Sequence, residues 1–470
     1  MRVGILNSFK RQFSTSRCLS SVKPQICIVG AGPAGFYAAQ HIVKHIPDAQ
    51  VDIYERLPVP FGLVRFGVAP DHPEVKNVIH TFTKTAEQKN VRFLGNINLG
   101  TDVSVKELQN AYHSVLLTYG ADENRRLNIP GENLDNVLSA RNVVGWYNGT
   151  PWDKNLKIDL SGDTAAIIGQ GNVAMDVARI LLTPIDELKS TDITQYALEQ
   201  IAASRIKMVH LIGRRGPLQA AFTIKELREM LKLNGLNTSF NRDDFFGIDK
   251  LVHSLPRPKK RITELMLNSI DVKKPGATKD FVLNFLRSPV EFLPKAGQSE
   301  RSQVGCVKLA INILRGEDYT KEVAIATSQI ETLDCDLAIT SIGYKSVQAD
   351  NEIPFDQKKG VVINSNYKVV DNFYASGWLA TGPTGVILTT MSNAFATADV
   401  MTKEINSAID KLPLKPGFEV IEHALKARNV QMVTWKDWEK IDEYEQQEGK
   451  KVGKPREKIV DIQEMLKIAA

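Results

Sequence analysis

Two glycine-rich turns, Gly30-Ala31-Gly32-Pro33-Ala34-Gly35 and Gly169-Gln170-Gly171-Asn172-Val173-Ala174, are the residues of this chain best fitted to do chemistry. Glycine at the first position permits a tight turn. At the second it lets the backbone approach a pyrophosphate, and Gly or Ala at the third lets a helix pack close, with its N-terminal amides facing the phosphates. Each motif follows an apolar run of strand length, residues 26–29 and 165–168, and precedes an apolar-rich helical stretch, residues 36–43 and 175–182. One such match is weak. Two in the same context imply two dinucleotides held side by side, the arrangement that couples a flavin to a nicotinamide.

The residues downstream assign the ligands. After the first motif the chain reads Val51-Asp52-Ile53-Tyr54-Glu55, which places an acid about twenty positions on, where it can accept hydrogen bonds from a ribose diol and repel a 2′-phosphate. After the second, the comparable strand (207–212) ends in Gly213-Arg214-Arg215-Gly216 with no acid. Two guanidiniums there clamp a phosphate and favour NADP over NAD. The first site therefore reads as an FAD site and the second as an NADPH site.

Hydride transfer between these groups requires alignment rather than a nucleophile or a metal, so no catalytic acid or base and no metal ligand are expected. Gly382-Pro383-Thr384-Gly385, followed by Val386 and Ile387, opens a helix whose positive end suits the pyrimidine side of a flavin. Trp378 is large enough to pack beside the ring. Asp176 and the Pro-bracketed Asp71 and His72 are the only proton carriers worth naming, and turn roles suit the latter two equally well. The four cysteines, Cys18, Cys27, Cys306 and Cys335, form no Cys-x-x-Cys pair, which argues against a redox disulfide, an iron–sulfur cluster or a zinc site.

These motifs imply an α/β chain of two Rossmann-like dinucleotide-binding domains, the NADP domain (122–333) inserted into a discontinuous FAD domain (23–121 and 334–470). Irregular backbone is expected around residues 128–130 and 145–152, where Gly, Pro and Trp cluster. Residues 1–22 contain no Asp or Glu and are rich in Ser and Arg, without a continuous apolar core, as in a mitochondrial presequence. Arg2, Lys10, Arg11, Arg17 and Lys23 match the whole net charge of +5, so the remainder is formally neutral. That balance gives no reason to expect a nucleic-acid partner. No run approaches 18 apolar residues, so no transmembrane segment is expected.

The same motifs resemble the adrenodoxin reductase family of mitochondrial NADPH:ferredoxin oxidoreductases, a glutathione-reductase-like class. The likeness rests on both glycine turns, Glu55, the segment Phe61-Gly62-Leu63-Val64-Arg65-Phe66-Gly67-Val68-Ala69-Pro70-Asp71-His72-Pro73, Gly377-Trp378 and Gly382-Pro383-Thr384-Gly385, and it runs on to Gly453-Lys454-Pro455-Arg456-Glu457-Lys458. It implies FAD contacts at Ala34, Glu55, Leu63, Leu99, Trp378, Gly385, Val386 and Ile387. It implies NADP contacts at Gln170, Gly171, Asn172, Val173, Arg214, Arg215, Glu226 and Gly385. The run Arg257-Pro258-Lys259-Lys260-Arg261, leading into a helix at 262–266, is a local field suited to an acidic partner. By the resemblance that partner is a [2Fe–2S] ferredoxin, and the compartment is the mitochondrial matrix, with inner-membrane association left open. A flavin-dependent NADPH monooxygenase is the alternative enzyme, and a flavin-free NADP-sensing scaffold the non-enzymatic one.

Overall fold

The computed structural model describes residues 22–270, 272–296, 303–385 and 387–470. The expected presequence and Val386 lie almost wholly or wholly outside these described residues. The first sheet has seven strands in the order Lys368–Val370, Phe373–Ala375, Ser114–Leu117, Gln25–Val29, Gln50–Tyr54, Val91–Gly95 and Val433–Thr434. Its four central pairings are parallel, and antiparallel strands close both edges. Helix Pro33–His45 starts on a proline, whose fixed φ is already helical, and ends on Lys44 and His45, which complement the negative end of its dipole. It packs along helix Ile387–Ala408, where Ala394 and Ala398 allow close approach. Phe36 stacks on Phe82 at 5.1 Å to fill the space beside it.

The second sheet has six strands, in the order Val137–Ser139, Leu337–Thr340, Thr164–Ile168, Met208–Ile212, Lys279–Asn284 and Leu236–Phe240. Here the expected boundary needs correcting. Strand Leu337–Thr340 pairs in parallel with Thr164–Ile168, Leu337 facing Ala165. It therefore belongs with the second glycine turn, not with the C-terminal part of the first unit as the boundary at 334 had it. The chain returns to the first unit only after Tyr344–Lys345, which pairs antiparallel with Glu123–Asn124 as the two connecting segments run side by side. A three-stranded antiparallel sheet, Arg287–Pro294, Val304–Arg315 and Val323–Asp334, is appended to the second unit.

Residues 145–152 are more regular than their composition suggests. Helix Ala140–Asn148 runs through Gly145, where a Cβ would lie 2.0 Å from an Asp153 carboxylate oxygen. It ends at Gly149 in the left-handed region, φ +81°. The glycines that suggested a loop are there for close packing and for a helix stop.

Candidate functional site

The first glycine turn divides its labour as the spacing implies. Gly30 has φ +113°, and a Cβ on it would sit 2.7 Å from the backbone of Thr118 and Tyr119. A Cβ on Gly35 would lie 2.0 Å from the Gly30 carbonyl oxygen, so only glycine lets the helix sit this close to its strand. At Gly32 the nearest atom is the Gly62 Cα at 4.0 Å, which leaves its face open. No side chain caps the helix that starts there, so its first amides are unspent and suited to a diphosphate.

Glu55 closes the far edge of this turn. Its Oε2 accepts the Ala31 N–H at 2.9 Å and its Oε1 accepts the Leu57 N–H at 3.2 Å. Burial pushes the carboxyl above its usual range, while Arg56 and the backbone donors oppose that shift. The carboxylate is thus fixed beside the turn with lone pairs to spare for a diol. Gln at this position should weaken FAD retention about tenfold or more, the worth of a hydrogen bond to a charged group. A fluorescence titration of deflavinated protein measures it, and unchanged affinity would refute a ribose role.

Two further FAD candidates, Leu63 and Trp378, converge on the same helix. Leu63, 37% exposed, follows Gly62, which abuts Gly32. Gly377 packs so near Ala34 that a Cβ on it would be 2.9 Å from the Ala34 Cβ, bringing Trp378 alongside. The buried Trp378 Nε1 has no hydrogen-bond partner, a donor left for a ligand. Gly385, φ +83°, is exposed just before helix Ile387–Ala408, whose first residue is half-buried. Leu99 stands apart: its side chain is buried with Tyr54, Leu94 and Val103 in the core. Uncapped amides, an open Gly32, a fixed Glu55 and an orphaned indole N–H fit FAD.

The second turn repeats the scheme. Gly169 has φ +134° and lies against the Ser341 carbonyl, while the fully buried Ala174 takes the third position. A Cβ on Gly171 would meet nothing within 4 Å, and helix Asn172–Leu182, which begins there, has no side-chain cap. Asn172 Oδ1 accepts the Thr223 N–H at 2.9 Å, which steadies the turn, and the buried Gln170 Oε1 has no partner. Val173 is half-buried and packs against the second unit's core.

Arg214 is exposed and Arg215 half-buried just past strand Met208–Ile212. Among the described residues no carboxylate pairs with either. Their backbone is fixed, since the Arg214 carbonyl accepts from Asn312 Nδ2 at 2.7 Å and the Arg215 carbonyl from the Leu286 N–H at 3.2 Å. Lys259 lies close enough that burial, then the Arg215 charge, push its ammonium below the usual lysine range. Two unpaired guanidiniums with a third cation beside them fit the 2′-phosphate of NADP.

Glu226 faces away from the arginine clamp, toward helix Asn172–Leu182 that follows the second glycine turn. It sits in a buried cluster between the units with Asp71, His72, Asp176, Arg179 and Glu229. Arg179 is the hub: its Nε is 2.5 Å from Asp71 Oδ2, its Nη2 2.7 Å from Asp176 Oδ1 and its Nη1 3.0 Å from Glu226 Oε2. His72 Nε2 is 2.9 Å from Glu229 Oε2. Burial alone would raise Asp71, but the Arg179 hydrogen bonds and charge hold it below the usual range. Burial and then the Asp176 charge push Glu226 up to about 7. Asp71, His72 and Asp176, singled out separately in the sequence, thus meet in one network. Arg179 and Glu229 were missed; the signal for Arg179 was a lone charge in the apolar run Val177-Ala178-Arg179-Ile180-Leu181.

The titration of Glu226 gives a pH prediction. Deprotonation above about pH 7 adds a negative charge where an anionic nucleotide is to bind, so affinity for NADP+ should fall as pH rises through that value. The ratio of wild-type to Glu226→Gln dissociation constants isolates the effect, because the ligand's own titration cancels. A ratio flat from pH 6 to 8 would remove Glu226 from the nucleotide site.

The basic run is not a leader into a helix but its first turns: helix Arg257–Leu267 begins at the run, with Pro258 in its first turn. Proline at that position needs no amide partner. Arg257 and Arg261 are exposed and Lys260 half-exposed, while Lys259 is held inward, its Nζ 3.3 Å from the Ala220 carbonyl. Lys259 therefore belongs with the arginine clamp, and Arg257, Lys260 and Arg261 form the outward charge.

The chain matches the pyridine nucleotide-disulphide oxidoreductase family over residues 24–242. It carries no disulfide among its described residues, where Cys27, Cys306 and Cys335 are free. It is 51% identical to the mitochondrial NADPH:adrenodoxin oxidoreductase of Drosophila melanogaster over 100% of both chains. The human protein of that name is 50% identical over 99% of this chain and 95% of its own. Among solved structures, FprA of Mycobacterium tuberculosis in complex with NADPH aligns with a TM-score of 0.89 and 38% identity, over 95% of this chain and 100% of its own. With the fold, both glycine turns and full-length identity in agreement, the chain belongs to the family of mitochondrial NADPH:adrenodoxin oxidoreductases.

Proposed function

We propose that the chain oxidises NADPH at the second glycine turn, holds FAD at the first, and delivers electrons one at a time to an acidic [2Fe–2S] ferredoxin in the mitochondrial matrix. The observation that carries the nucleotide choice is the asymmetry of the two sites. One strand end presents the fixed carboxylate of Glu55, and the other presents Arg214 and Arg215 with no acid. FAD, when bound, supplies the redox chemistry that joins a two-electron donor to a one-electron acceptor.

The protein's own part is positioning. Open backbone at Gly32 and Gly171 receives the two diphosphates, and Glu55 takes the adenosine ribose of FAD. Leu63 and Trp378 flank the ring, and the start of helix Ile387–Ala408 faces the pyrimidine side, where negative charge develops on reduction. The cluster about Arg179 holds titratable carboxyls between the units. It can hold a proton where the two units meet. Arg257, Lys260 and Arg261 lie on the second unit's surface as the docking charge. No helix of the described residues is long and apolar enough to cross a membrane, and residues 1–22 serve as the import signal.

Purified protein should show a flavin absorption spectrum, and NADPH should drive rapid reduction of a [2Fe–2S] ferredoxin. Stopped-flow accumulation of an oxygenated flavin with no ferredoxin reduction would instead support the monooxygenase. A colourless chain would leave only the scaffold.

A further inference from the structure

The three-stranded sheet appended to the second unit lies outside the strands that carry the two glycine turns, yet it meets the loop that carries the arginine clamp. Strand Lys279–Asn284 turns into strand Arg287–Pro294 at Phe285 and Leu286, beside residues 213–215. The Gly213 N–H donates to the Asn284 carbonyl at 2.8 Å, and the Gly213 carbonyl accepts the Arg287 N–H at 3.0 Å. The Arg215 carbonyl accepts the Leu286 N–H at 3.2 Å. Leu286 is in the left-handed region, φ +57°, a strained conformation for leucine that its neighbours must hold.

Between those two carbonyls lies that of Arg214, and no backbone donor serves it among the described residues. It accepts instead from the side chain of Asn312, whose Nδ2 is 2.7 Å away. Asn312 is 2% exposed on strand Val304–Arg315. Its own N–H donates to the Leu286 carbonyl at 2.7 Å, and its Nδ2 also reaches Ser288 Oγ at 2.8 Å. The sheet is irregular at this point. Ala310 faces Ile330 but Asn312 faces Ala326, so the outer strand carries extra residues here. Farther along the loop, Gln219 Nε2 donates to the Tyr319 carbonyl at 2.9 Å and to Glu322 Oε2 at 2.7 Å, at the turn of the same hairpin.

Stability does not account for Asn312. Asparagine is disfavoured in strands, and the Asn312 Oδ1 is buried without a partner. What the side chain controls is one peptide plane, that between Arg214 and Arg215. Hydrogen bonds to three successive carbonyls fix the planes on both sides of each arginine Cα, and so fix the directions of both Cβ atoms. Of the three planes only the middle one, shared by both arginines, hangs on a side chain.

We propose that Asn312 is a positioning residue for nucleotide selectivity: by holding the Arg214 carbonyl it aims both guanidiniums at the 2′-phosphate of NADP, with the appended sheet as its brace. The inference rests on the reading of Arg214 and Arg215 as the 2′-phosphate clamp. Arg214 is exposed, and among the described residues neither guanidinium has a carboxylate partner, so the backbone beneath sets where they point. A clamp aimed beforehand gives up less freedom on binding and holds the phosphate more tightly. Asn312 is buried beneath the loop, so its effect passes through the two arginines.

The test is calorimetric titration of the flavin-loaded protein with adenosine 2′,5′-bisphosphate and with AMP, which differ only in the 2′-phosphate. Asn312→Leu keeps the bulk of the side chain and removes its donor. It should lower the preference for the bisphosphate about three- to tenfold, the worth of one neutral hydrogen bond, and leave AMP affinity and the flavin spectrum unchanged. In dye reduction the same variant should raise the KM for NADPH and leave kcat and the NADH reaction alone. Ser288→Ala removes the other partner of the carboxamide but not the Arg214 bond, and should keep the wild-type preference. Asn312→Ala takes the place of the leucine variant should that not fold. Wild-type preference in Arg214→Ala/Arg215→Ala would sink the clamp reading itself. A lowered preference there, with an unchanged one in the folded Asn312 variant, overturns this inference alone. So does a further fall when Asn312→Leu is added to the arginine pair, because a residue that acts through the clamp then has nothing left to aim.

Discussion

Exchange of both Arg214 and Arg215 for Ala should raise the KM for NADPH by about 30- to 150-fold while changing that for NADH less than threefold. The size follows from the site. Hydrogen bonds from a guanidinium to a phosphate contribute roughly 1.5–3 kcal/mol each, and Arg214 is exposed, so the pair together is set at about 2–3 kcal/mol. The selectivity follows from position. The clamp lies past the strand end, whereas the pyrophosphate is to sit on Gly171, which the substitution leaves alone. No carboxylate pairs with either guanidinium among the described residues, so their removal orphans no buried acid and should cost little stability. Lys259, inward and beside Arg215, should retain part of the phosphate affinity; adding Lys259→Ala should remove a further increment for NADPH alone. Dye-reduction kinetics with each nucleotide decide the matter. Equal losses for the two would mean that the clamp does not read the 2′-phosphate.

The parts of the site made by local backbone were legible in the sequence, and the parts made by long-range packing were not. Glycine at 30, 32 and 35 is a recognisable spacing, and of its steric demands the one between near neighbours, Gly35 against the Gly30 carbonyl, is local, whereas Gly30 is pressed by Thr118 and Tyr119 far along the chain. Glu55 was equally readable because a strand ends where its hydrogen bonding ends. The Arg179 cluster is different. Its six members come from residues 71 to 229, and no spacing announces that Asp71 and Glu226 share one guanidinium. Strand Leu337–Thr340 shows the same limit. A short apolar run says that a strand is buried but not which sheet buries it, so only pairing with Thr164–Ile168 places it in the second unit. In the basic run, composition gave the charge but not its direction. That Lys259 points inward while Arg257 and Arg261 point out is a matter of helical phase from Arg257, fixed by the packing of Ile262 and Met266.

That phase sharpens the docking prediction. Charge reversal of Arg257, Lys260 and Arg261, leaving Lys259 intact, should lower kcat/KM for ferredoxin about 100-fold at low salt and leave ferricyanide reduction by NADPH within twofold. The magnitude reflects loss of electrostatic steering, which raises association rates by 10- to 1,000-fold. Three cations in the opening turns oppose the helix dipole, whose positive end is there. Acids at those positions suit the helix dipole, which offsets the loss of the Lys260–Glu264 pair 3.9 Å apart one turn on. Thermal melts should show the variant at least as stable as wild type. The wild-type rate with ferredoxin should fall steeply with added salt, since exposed charges are screened over about 8 Å at physiological ionic strength, while the dye reaction should barely respond. Reversing Lys259 as well should raise the KM for NADPH in the dye assay, separating the inward lysine from the outward three. A triple variant that reduces ferredoxin at the wild-type rate in low salt would return the run to an ordinary solvated helix start and move the docking surface elsewhere on the molecule.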